Sequence, residues 1–542
     1  MGEQSVDVVV AGAGPVGLMM AAELTRHGAR VAVVDKSSGT KSISKALIQH
    51  VRTQEVMDAA GVIDAVRAAA VPLQRVEVHA YGRHIGAWRL NEVDSPYPSP
   101  VILGQDRTEQ ILEQRLNALG VRVRWGSEAV AVEQDAHGVR VRVKNDHGEQ
   151  EVDAAYAVGC EGSDSVIRAA ARLSFEGERY TGEQFIQADC KIRWSYATGA
   201  SHLFLTDHGD AGASGYLMVI EMPNDIVRVF VSLPDDNPPR HDDPMLDDVQ
   251  NALRRLGASD AELYEPIWLA RYRTSHRTAN TFRAGRLFVA GDAGHVHVPI
   301  GGQGMNTGLQ DAFNLGWKLA AVAAGDAAPS LLDSYSAERV PIAEQLISGT
   351  DRAYRFVLHP GSFARGVAKR LGPFILGLDV VQRAFRATLE EVGINYRGGP
   401  ITTDRSRGGK VKAGDRAPDA RVVDAQSQDT MRLFDLMRGT HWTLFIFTAD
   451  CGAPVPQVSA AAVIAARHGV KAVVVDRAPT WFETGAATNV LDRAGDAHHA
   501  YGERRPTAYL VRPDWYVGYR GPLADTASLE AYCQRVFAQA RS

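Results

Sequence analysis

Between Val8 and Asp35 the chain reads VVVAGAGPVGLMMAAELTRHGARVAVVD, an order of residues that few folds accept. Val8, Val9 and Val10 predict a strand, and Pro15 stands where a helix begins without losing a hydrogen bond. Leu18 to Leu24 then follow a helical repeat, and Val31 to Val34 predict a second buried strand. Gly12, Gly14 and Gly17 fall at the Gly-x-Gly-x-x-Gly spacing. In a strand–turn–helix unit the first glycine makes the tight turn, the second admits a pyrophosphate to the backbone, and the third lets helix and strand pack closely. The helix start around Ala13, Pro15 and Val16 points unpaired N–H groups and a positive dipole end at the phosphates. Asp35 and Lys36 close the second strand, where a carboxylate accepts hydrogen bonds from a ribose. The segment predicts a dinucleotide-binding βαβ unit.

A chain of 542 residues exceeds what one core grows to, so two to four domains are expected. The net charge of −5 and the lack of a long Lys or Arg run give no footprint for nucleic acid. Cys160, Cys190, Cys451 and Cys533 are scattered without a Cys-x-x-Cys pair, which argues against a zinc site or disulfide framework and fits a reducing compartment. His295 and His297 stand two residues apart. That is poor metal spacing; His295 reads as a hydrogen-bonded structural residue, and no metal is expected. No basic segment precedes the apolar run Val8–Ala22, which glycines interrupt and which is too short to cross a bilayer. A soluble, cytoplasmic protein with no membrane or nucleic-acid partner is expected.

Downstream, helices are predicted over Thr53–Ala69 and about Asp106–Leu119, with short strands at Val121–Trp125, Ala129–Gln134 and Val139–Lys144. Asn145-Asp-His-Gly reads as a hairpin turn. Tyr216–Met222 and Ile226–Leu233 read as strands joined by the turn Pro223-Asn-Asp, within an antiparallel sheet over residues 175–275 that faces a substrate. Helices follow from Met305 to about residue 394, and then an Arg- and Gly-rich linker. Residues 410–542 carry strands Thr443–Thr448 and Val470–Asp476 around the helix Val458–His468, then a hairpin and a terminal helix. About 130 residues are enough for a separate core.

A second run, RLFVAGDAGHVHVPIGGQGMNTGLQDAFNLGWKL over Arg286–Leu319, is the more specific of the two. It places a strand before Gly291 and Asp292, a kink at Pro299, and Gly301, Gly302 and Gly304 ahead of a helix starting at Met305 and Asn306. Such a helix end stabilises negative charge developing on a planar ligand. Asp292 is placed to accept hydroxyl hydrogen bonds.

Together the two runs resemble the FAD-dependent aromatic hydroxylases, single-component flavoprotein monooxygenases that include p-hydroxybenzoate hydroxylase, phenol hydroxylase and pentachlorophenol monooxygenase. The resemblance covers residue 6 to about 350, and the chain length suits the long subgroup with a C-terminal thioredoxin-like domain. It implies an α/β fold: a Rossmann-type, p-hydroxybenzoate hydroxylase-like FAD-binding domain over residues 1–73, 101–174 and 276–400, the last including helices over 343–394. An antiparallel-sheet substrate domain would take 74–100 and 175–275, and the thioredoxin-like domain 410–542. Gly12, Gly14 and Gly17 would contact the FAD pyrophosphate, and Asp35, where the family usually carries Glu, the adenosine ribose. Lys45 and Gln105 match a basic residue near the phosphates and a glutamine that reaches FAD; Val130 is counted with the cofactor contacts. Cys160-Glu-Gly-Ser-Asp matches the family's Asp-Gly motif, with Glu161 in place of aspartate and Gly162 on the cofactor. Glu161 and Arg168 read equally well as an ion pair at a strand–helix junction. Gly291 and Asp292 match the Gly-Asp motif that binds the ribityl chain. Pro299, Gly301, Gly302, Gly304, Met305 and Asn306 match the loop along the isoalloxazine ring. The stretch from Leu331 to Pro341, with Tyr335, Glu338 and Arg339, matches a packing element without chemistry.

The implied activity is hydroxylation of a small aromatic substrate with NADPH or NADH and O2, through a C4a-hydroperoxyflavin. No second Gly-x-Gly-x-x-Gly follows a strand, so the reductant would bind transiently in a surface groove. Pro299 beside the ring, and Tyr216 and Arg228 in the second sheet with Glu221 and Phe230 near them, are the candidates for catalysis. The apolar strand around Met222, without an arginine to clamp a benzoate, favours a phenolic or polycyclic substrate. Family analogy implies a homodimer. An epoxidase or Baeyer–Villiger oxygenase on the same architecture, or a non-catalytic FAD-binding redox protein, are the alternatives. The Trp-x-Trp-x-Ile stretch of flavin halogenases is missing.

Overall fold

The structure, a computed structural model, describes residues 6–537 apart from 42, 81, 180–182, 197–198, 208–213, 235–242, 299, 359–373, 375–377, 449–453 and 478–486. The βαβ unit forms as strand β1 (Val6–Ala11), helix α1 (Pro15–Arg26) and strand β2 (Val31–Val34), with β1 and β2 parallel from Val8 opposite Val31 to Ala11 opposite Val34. On its other edge β1 pairs in parallel with Gly148–Gly159, and that strand in turn with Leu287–Val289. Gly159 stands opposite both Ala11 and Val289. One register row therefore brings the turns after both glycine runs side by side. Val8, Val9, Val10 and Ala11 are wholly buried, as expected for a parallel strand covered on both faces.

Helix α2 (Gln303–Ala324) packs against α1, and glycine sets the approach. A Cβ on Gly316 would lie 2.6 Å from Glu23 Cβ, and one on Gly308 2.6 Å from Val16 Cγ2. The single helix expected over Thr53–Ala69 is two, Val51–Ala59 and Ile63–Ala69, split at Gly61 in the left-handed region with φ +77°. Helix α3 (Asp333–Leu358) carries Pro341 inside it.

The second sheet has seven strands in the order Glu262–Tyr272, Glu183–Arg193, Val227–Pro234, Ser214–Glu221, Ser201–Asp207, Arg75–Ala80 and Arg83–Arg89. It is not wholly antiparallel: Ser201–Asp207 runs parallel to Arg75–Ala80. The reason is topological, because the hairpin Arg75–Arg89 arrives from the first sheet rather than by a local turn. Pro223–Asp225 forms the expected turn, with Asn224 and Asp225 at φ +66° and +57°, a region Asn and Asp tolerate best among residues other than glycine.

A third sheet, of eight strands, occupies the C-terminal part; its central order is Val517–Pro522, Thr507–Val511, Thr443–Phe447, Lys471–Asp476. It is tied to the rest by buried charge. Lys318 Nζ donates to Glu338 at 2.7 Å, Arg512 donates to both Glu338 oxygens at 2.6 and 3.0 Å and also to Asp514, and Arg52 donates to the Asp514 carbonyl at 2.8 Å. Among the described residues no helix is long and apolar enough to cross a membrane.

Candidate active site

A cavity of about 1670 Å³ is lined by residues of the first and second sheets. Ordinary small-ligand pockets take roughly 300–1,000 Å³, so a dinucleotide and a second ligand fit together. Gly12, Gly14, Pro15, Val16, Asp35 and Lys36 line one end. Gly14 is the N-cap of α1 without a capping side chain, and a Cβ there would meet nothing within 4 Å, so the first N–H groups of the helix stay open to an anion. Ala13 and Gly17 lie behind the wall. Ala13 N donates to Asp35 Oδ2 at 2.6 Å, and a Cβ on Gly17 would meet the Gly12 carbonyl oxygen at 1.9 Å. Asp35 also accepts from Ser37 N at 2.7 Å, so its carboxylate braces the turn while lining the cavity.

Lys45 and Gln105 line the same cavity, Gln105 with its amide donating to Glu109 at 2.9 Å. Val130 does not; the wall is formed by Ser127, Glu128 and Ala129 just before it. Gly162 lies on the wall with φ +91°. The ion pair weighed for Glu161 and Arg168 does not form. Glu161 instead accepts from Ser165 Oγ at 2.7 Å and Ile167 N at 3.2 Å, holding the start of the helix Val166–Ala170. Arg168 donates to the carbonyls of Ala293 at 3.0 Å and Ser163 at 2.5 Å, next to Asp292.

Asp292 turns its carboxylate into the cavity, while Gly291 sits behind it with φ +60° and donates its N–H to Asp311 Oδ2 at 3.0 Å. Burial raises the Asp292 pKa, and the charges of His295 and Lys45 oppose that. Helix α2 supplies the carboxylate that pairs with His295: His295 Nε2 lies 2.7 Å from Asp311 Oδ2, and Arg339 Nε donates to Asp311 Oδ1 at 2.6 Å. The Leu331–Pro341 stretch thus locks the Gly-Asp turn from behind. Gly301, Gly302, Gly304 and Met305 line the cavity, and Gly302, with φ +68°, begins α2 without a side-chain cap. Asn306 lies behind this loop, accepting from His50 N at 2.9 Å and donating to the Ile48 carbonyl at 2.8 Å. Pro299 lies outside the described residues, as does Cys451.

The far end of the cavity is apolar, with Leu73, Val76, Trp88, Leu203, Met218 and Phe230 on its wall. Tyr216 and Arg228 are there too, but neither is free to act as a base. The Tyr216 hydroxyl donates to Met218 Sδ at 3.3 Å, and Arg228 is spent on Asp189 (2.7 Å twice) and on the carbonyls of Ser44 (2.6 Å) and Lys45 (3.0 Å). Glu221 lies off the wall and accepts from Gly199 N at 2.7 Å. Gln187, Tyr272 and Glu391 also line the wall although no motif predicts them, and so does His297 from the second glycine run. Burial lowers the His297 imidazole to about 4, so it is neutral at pH 7, and its Nε2 is buried without a partner. Burial raises the Glu391 carboxyl to about 7, against hydrogen bonds from Thr307 and Gln310. Among the described residues no group of three or more His, Cys, Asp or Glu is arranged to hold a metal.

The donor set fits FAD: two uncapped helix starts for phosphates and ring, and two wall carboxylates, Asp35 and Asp292, for hydroxyls. Comparison with known proteins agrees. A family model described as FAD binding domain matches residues 5–350, and one described as aromatic-ring hydroxylase, C-terminal matches 411–540. The chain is 32% identical to 6-methylpretetramide 4-monooxygenase of Streptomyces rimosus, over 97% of this chain and 93% of that protein. It is 30% identical to pentachlorophenol 4-monooxygenase of Sphingobium chlorophenolicum, over 96% and 95%. A ternary complex of aklavinone-11 hydroxylase with FAD and aklavinone superposes with a TM-score of 0.78 at 26% identity, covering 99% of each chain. Two glycine runs far apart in sequence but joined across one strand, together with relatives matched along nearly their whole length, make this chain a member of the FAD-dependent aromatic hydroxylases, a family of flavoprotein monooxygenases.

Proposed function

We propose that the enzyme spends NADPH or NADH and O2 to hydroxylate a phenolic or polycyclic aromatic substrate seated in the apolar end of its cavity. The observation that carries this reading is the wall itself. Its sole arginine among the described residues, Arg228, is already neutralised by Asp189. A benzoate would bring an unpaired charge into that chamber, at a cost of several kcal/mol, whereas a flat neutral ring system buries apolar surface against Trp88 and Phe230. Relatives named for 6-methylpretetramide, pentachlorophenol and aklavinone lend support. Bound FAD would supply the redox chemistry that couples oxidation of the reduced nicotinamide to activation of O2. The uncapped start of α2 would stabilise negative charge on the ring system, Asp292 would hold hydroxyls of the ribityl chain, and the apolar wall excludes water.

Substrate-stimulated NADPH oxidation with phenols, naphthols and hydroxyanthraquinones, followed by product mass, tests this reading. A product one oxygen heavier with that oxygen on the ring is expected. Tightly bound FAD without any turnover, or an epoxide or ring-expanded ester, would overturn it. Asp292→Ala is expected to weaken FAD about tenfold to hundredfold, the worth of a hydrogen bond to a charged group, read as flavin lost on gel filtration. Full stoichiometric colour after that step would remove Asp292 from the site.

By the boundaries read from sequence, three units would each carry one of the three large sheets, the third sheet reaching back to Thr403–Asp404. The order Val517–Pro522, Thr507–Val511, Thr443–Phe447, Lys471–Asp476, with its parallel central pair and antiparallel hairpin, supports a thioredoxin-like C-terminal unit. Without a Cys-x-x-Cys pair that unit has no dithiol chemistry. The working form is a cytoplasmic homodimer by family analogy, which light scattering on the holoenzyme tests.

A further inference from the structure

The chamber crosses the full width of the second sheet, from Tyr272 on one edge strand to Trp88 on the other. Beside the second glycine run Tyr216 and Phe230 pack with Val298, and at the far end Trp88 and Phe385 pack with Ile220 and Leu389. Phe385 belongs to the helix Asp379–Leu389 and stacks on the Trp88 indole, with ring centroids 4.0 Å apart and planes 17° apart. Both rings line the cavity. Polar bonds hold that helix in place without help from the stack. Gln382 grips the open edge of the strand on either side of Trp88: its Nε2 donates to the Ala87 carbonyl at 2.9 Å, and its Oε1 accepts from Arg89 N at 3.1 Å. Arg386 donates to the Arg89 carbonyl at 3.2 Å and to Glu92 at 2.9 Å, and just past the helix Glu390 accepts from Val51 N at 3.0 Å. These anchors fix the distance between helix and sheet, and the stacked pair fills it.

We propose that the Trp88–Phe385 stack is the length gauge of the chamber: it sets the number of fused rings that the enzyme accepts, because one ring more has to take the place of the Phe385 ring. This rests on the reading of the chamber as a site for hydroxylated aromatic rings, and it deepens that reading by assigning what limits their size. Stacked aromatic rings gain more than the area they bury, so a ligand ring on the Trp88 face regains that contact when Phe385 is cut back. The anchored helix keeps the gap from closing, and a gap whose walls cannot collapse stays open as a cavity. Leu73 and Leu90 pack around the stack and line the cavity with it, whereas Gln382 and Arg386 are turned to the strand and are not part of the wall. Apolar cavities left by truncation stay dry and take up small aromatic molecules.

The test uses FAD-loaded enzyme and three ligands of increasing length: 1-naphthol, 1-hydroxyanthraquinone and 6-hydroxytetracene-5,12-dione. Binding is followed by the change in flavin absorption, and the quantity read is the ratio of dissociation constants between the longest and the shortest ligand. Phe385→Ala is expected to move that ratio about tenfold in favour of the longest. Phe385→Trp, which thickens the end wall, is expected to move it about threefold the other way, and it keeps the test decisive if the first variant does not fold. A merely structural role for Phe385 changes the affinity for all three ligands alike. An unmoved ratio in either folded variant would overturn the proposal alone. Failure of the unsubstituted holoenzyme to bind any of the three would overturn the aromatic reading of the chamber, and this proposal with it.

Discussion

Gly12→Ala is expected to yield a protein that no longer retains FAD. A Cβ at this position would lie 2.4 Å from the Cys160 carbonyl oxygen, 2.6 Å from its carbon and 2.8 Å from Glu161 N, all of them backbone atoms. No side chain can swing aside to relieve that. Gly12 has φ +95°, which alone costs an alanine of order 1–3 kcal/mol. Cys160 cannot retreat either, because its N–H donates to the Ala11 carbonyl at 2.7 Å and closes the row between the two strands. Relief must come from the turn itself, which carries Gly14 and the open end of α1. Gly14→Ala is the instructive partner: its Cβ would meet no protein atom within 4 Å. That variant is expected to fold with the melting temperature of the unsubstituted FAD-free protein and yet bind FAD weakly, because the methyl group enters the ligand's space. Flavin content after gel filtration and thermal unfolding of both variants separate the two cases. Stoichiometric FAD and an unaltered melting temperature in Gly12→Ala would refute the assignment of this turn.

Arg512→Met is expected to cost about 3–5 kcal/mol, the usual result of removing one partner from a buried ion pair. Glu338 is held between Arg512 on one side and Lys318 and Asn314 on the other, and all of it is out of water. Methionine fills much of the volume but leaves Glu338 and Asp514 facing each other with one cation fewer. Burial by itself would raise the Glu338 carboxyl; the charges of Arg512 and Lys318 outweigh it and hold it at about 2, below an ordinary value of 4.5. A carboxylate depressed in the folded state stabilises fully above pH 4.5 and loses that contribution as pH falls toward 2. Arg512→Met therefore unfolds at a higher pH on acid titration, and Glu338→Gln added to it recovers part of the loss. Urea unfolding at pH 7, with acid titration beside it, reads both effects, and a midpoint unmoved by Arg512→Met would contradict them. The cost falls on the union of the C-terminal sheet with α2 and α3.

What could be read from sequence divides along a physical line. Gly12, Gly14, Gly301 and Gly302 announce themselves because a turn or an uncapped helix start is a local demand, met by a few consecutive residues. Asp292 is legible for the same reason. The partners that hold these turns are distant and leave no local trace. Asp311, which fixes both Gly291 and His295, looks in sequence like any helix aspartate, and nothing local shows that Arg339 of the packing element reaches it. Parallel pairing of Gly148–Gly159 with β1 involves no turn, so periodicity cannot reveal it. Tyr216 and Arg228 do reach the cavity, but whether a side chain is free depends on neighbours from other strands, and Met218 and Asp189 occupy them. Gln187 and Tyr272 belong to strands whose pairing only the assembled sheet defines.

The shared row of Ala11, Gly159 and Val289 has a practical corollary for anyone recombining such enzymes. Transplanting the first forty or so residues from a relative would import one cofactor-gripping turn while leaving its counterpart on a foreign ruler. A chimera that exchanges all three strands as a set keeps the spacing between nucleotide and ring contacts, whereas one that splits them is expected to emerge colourless even when each exchanged piece is sound by itself.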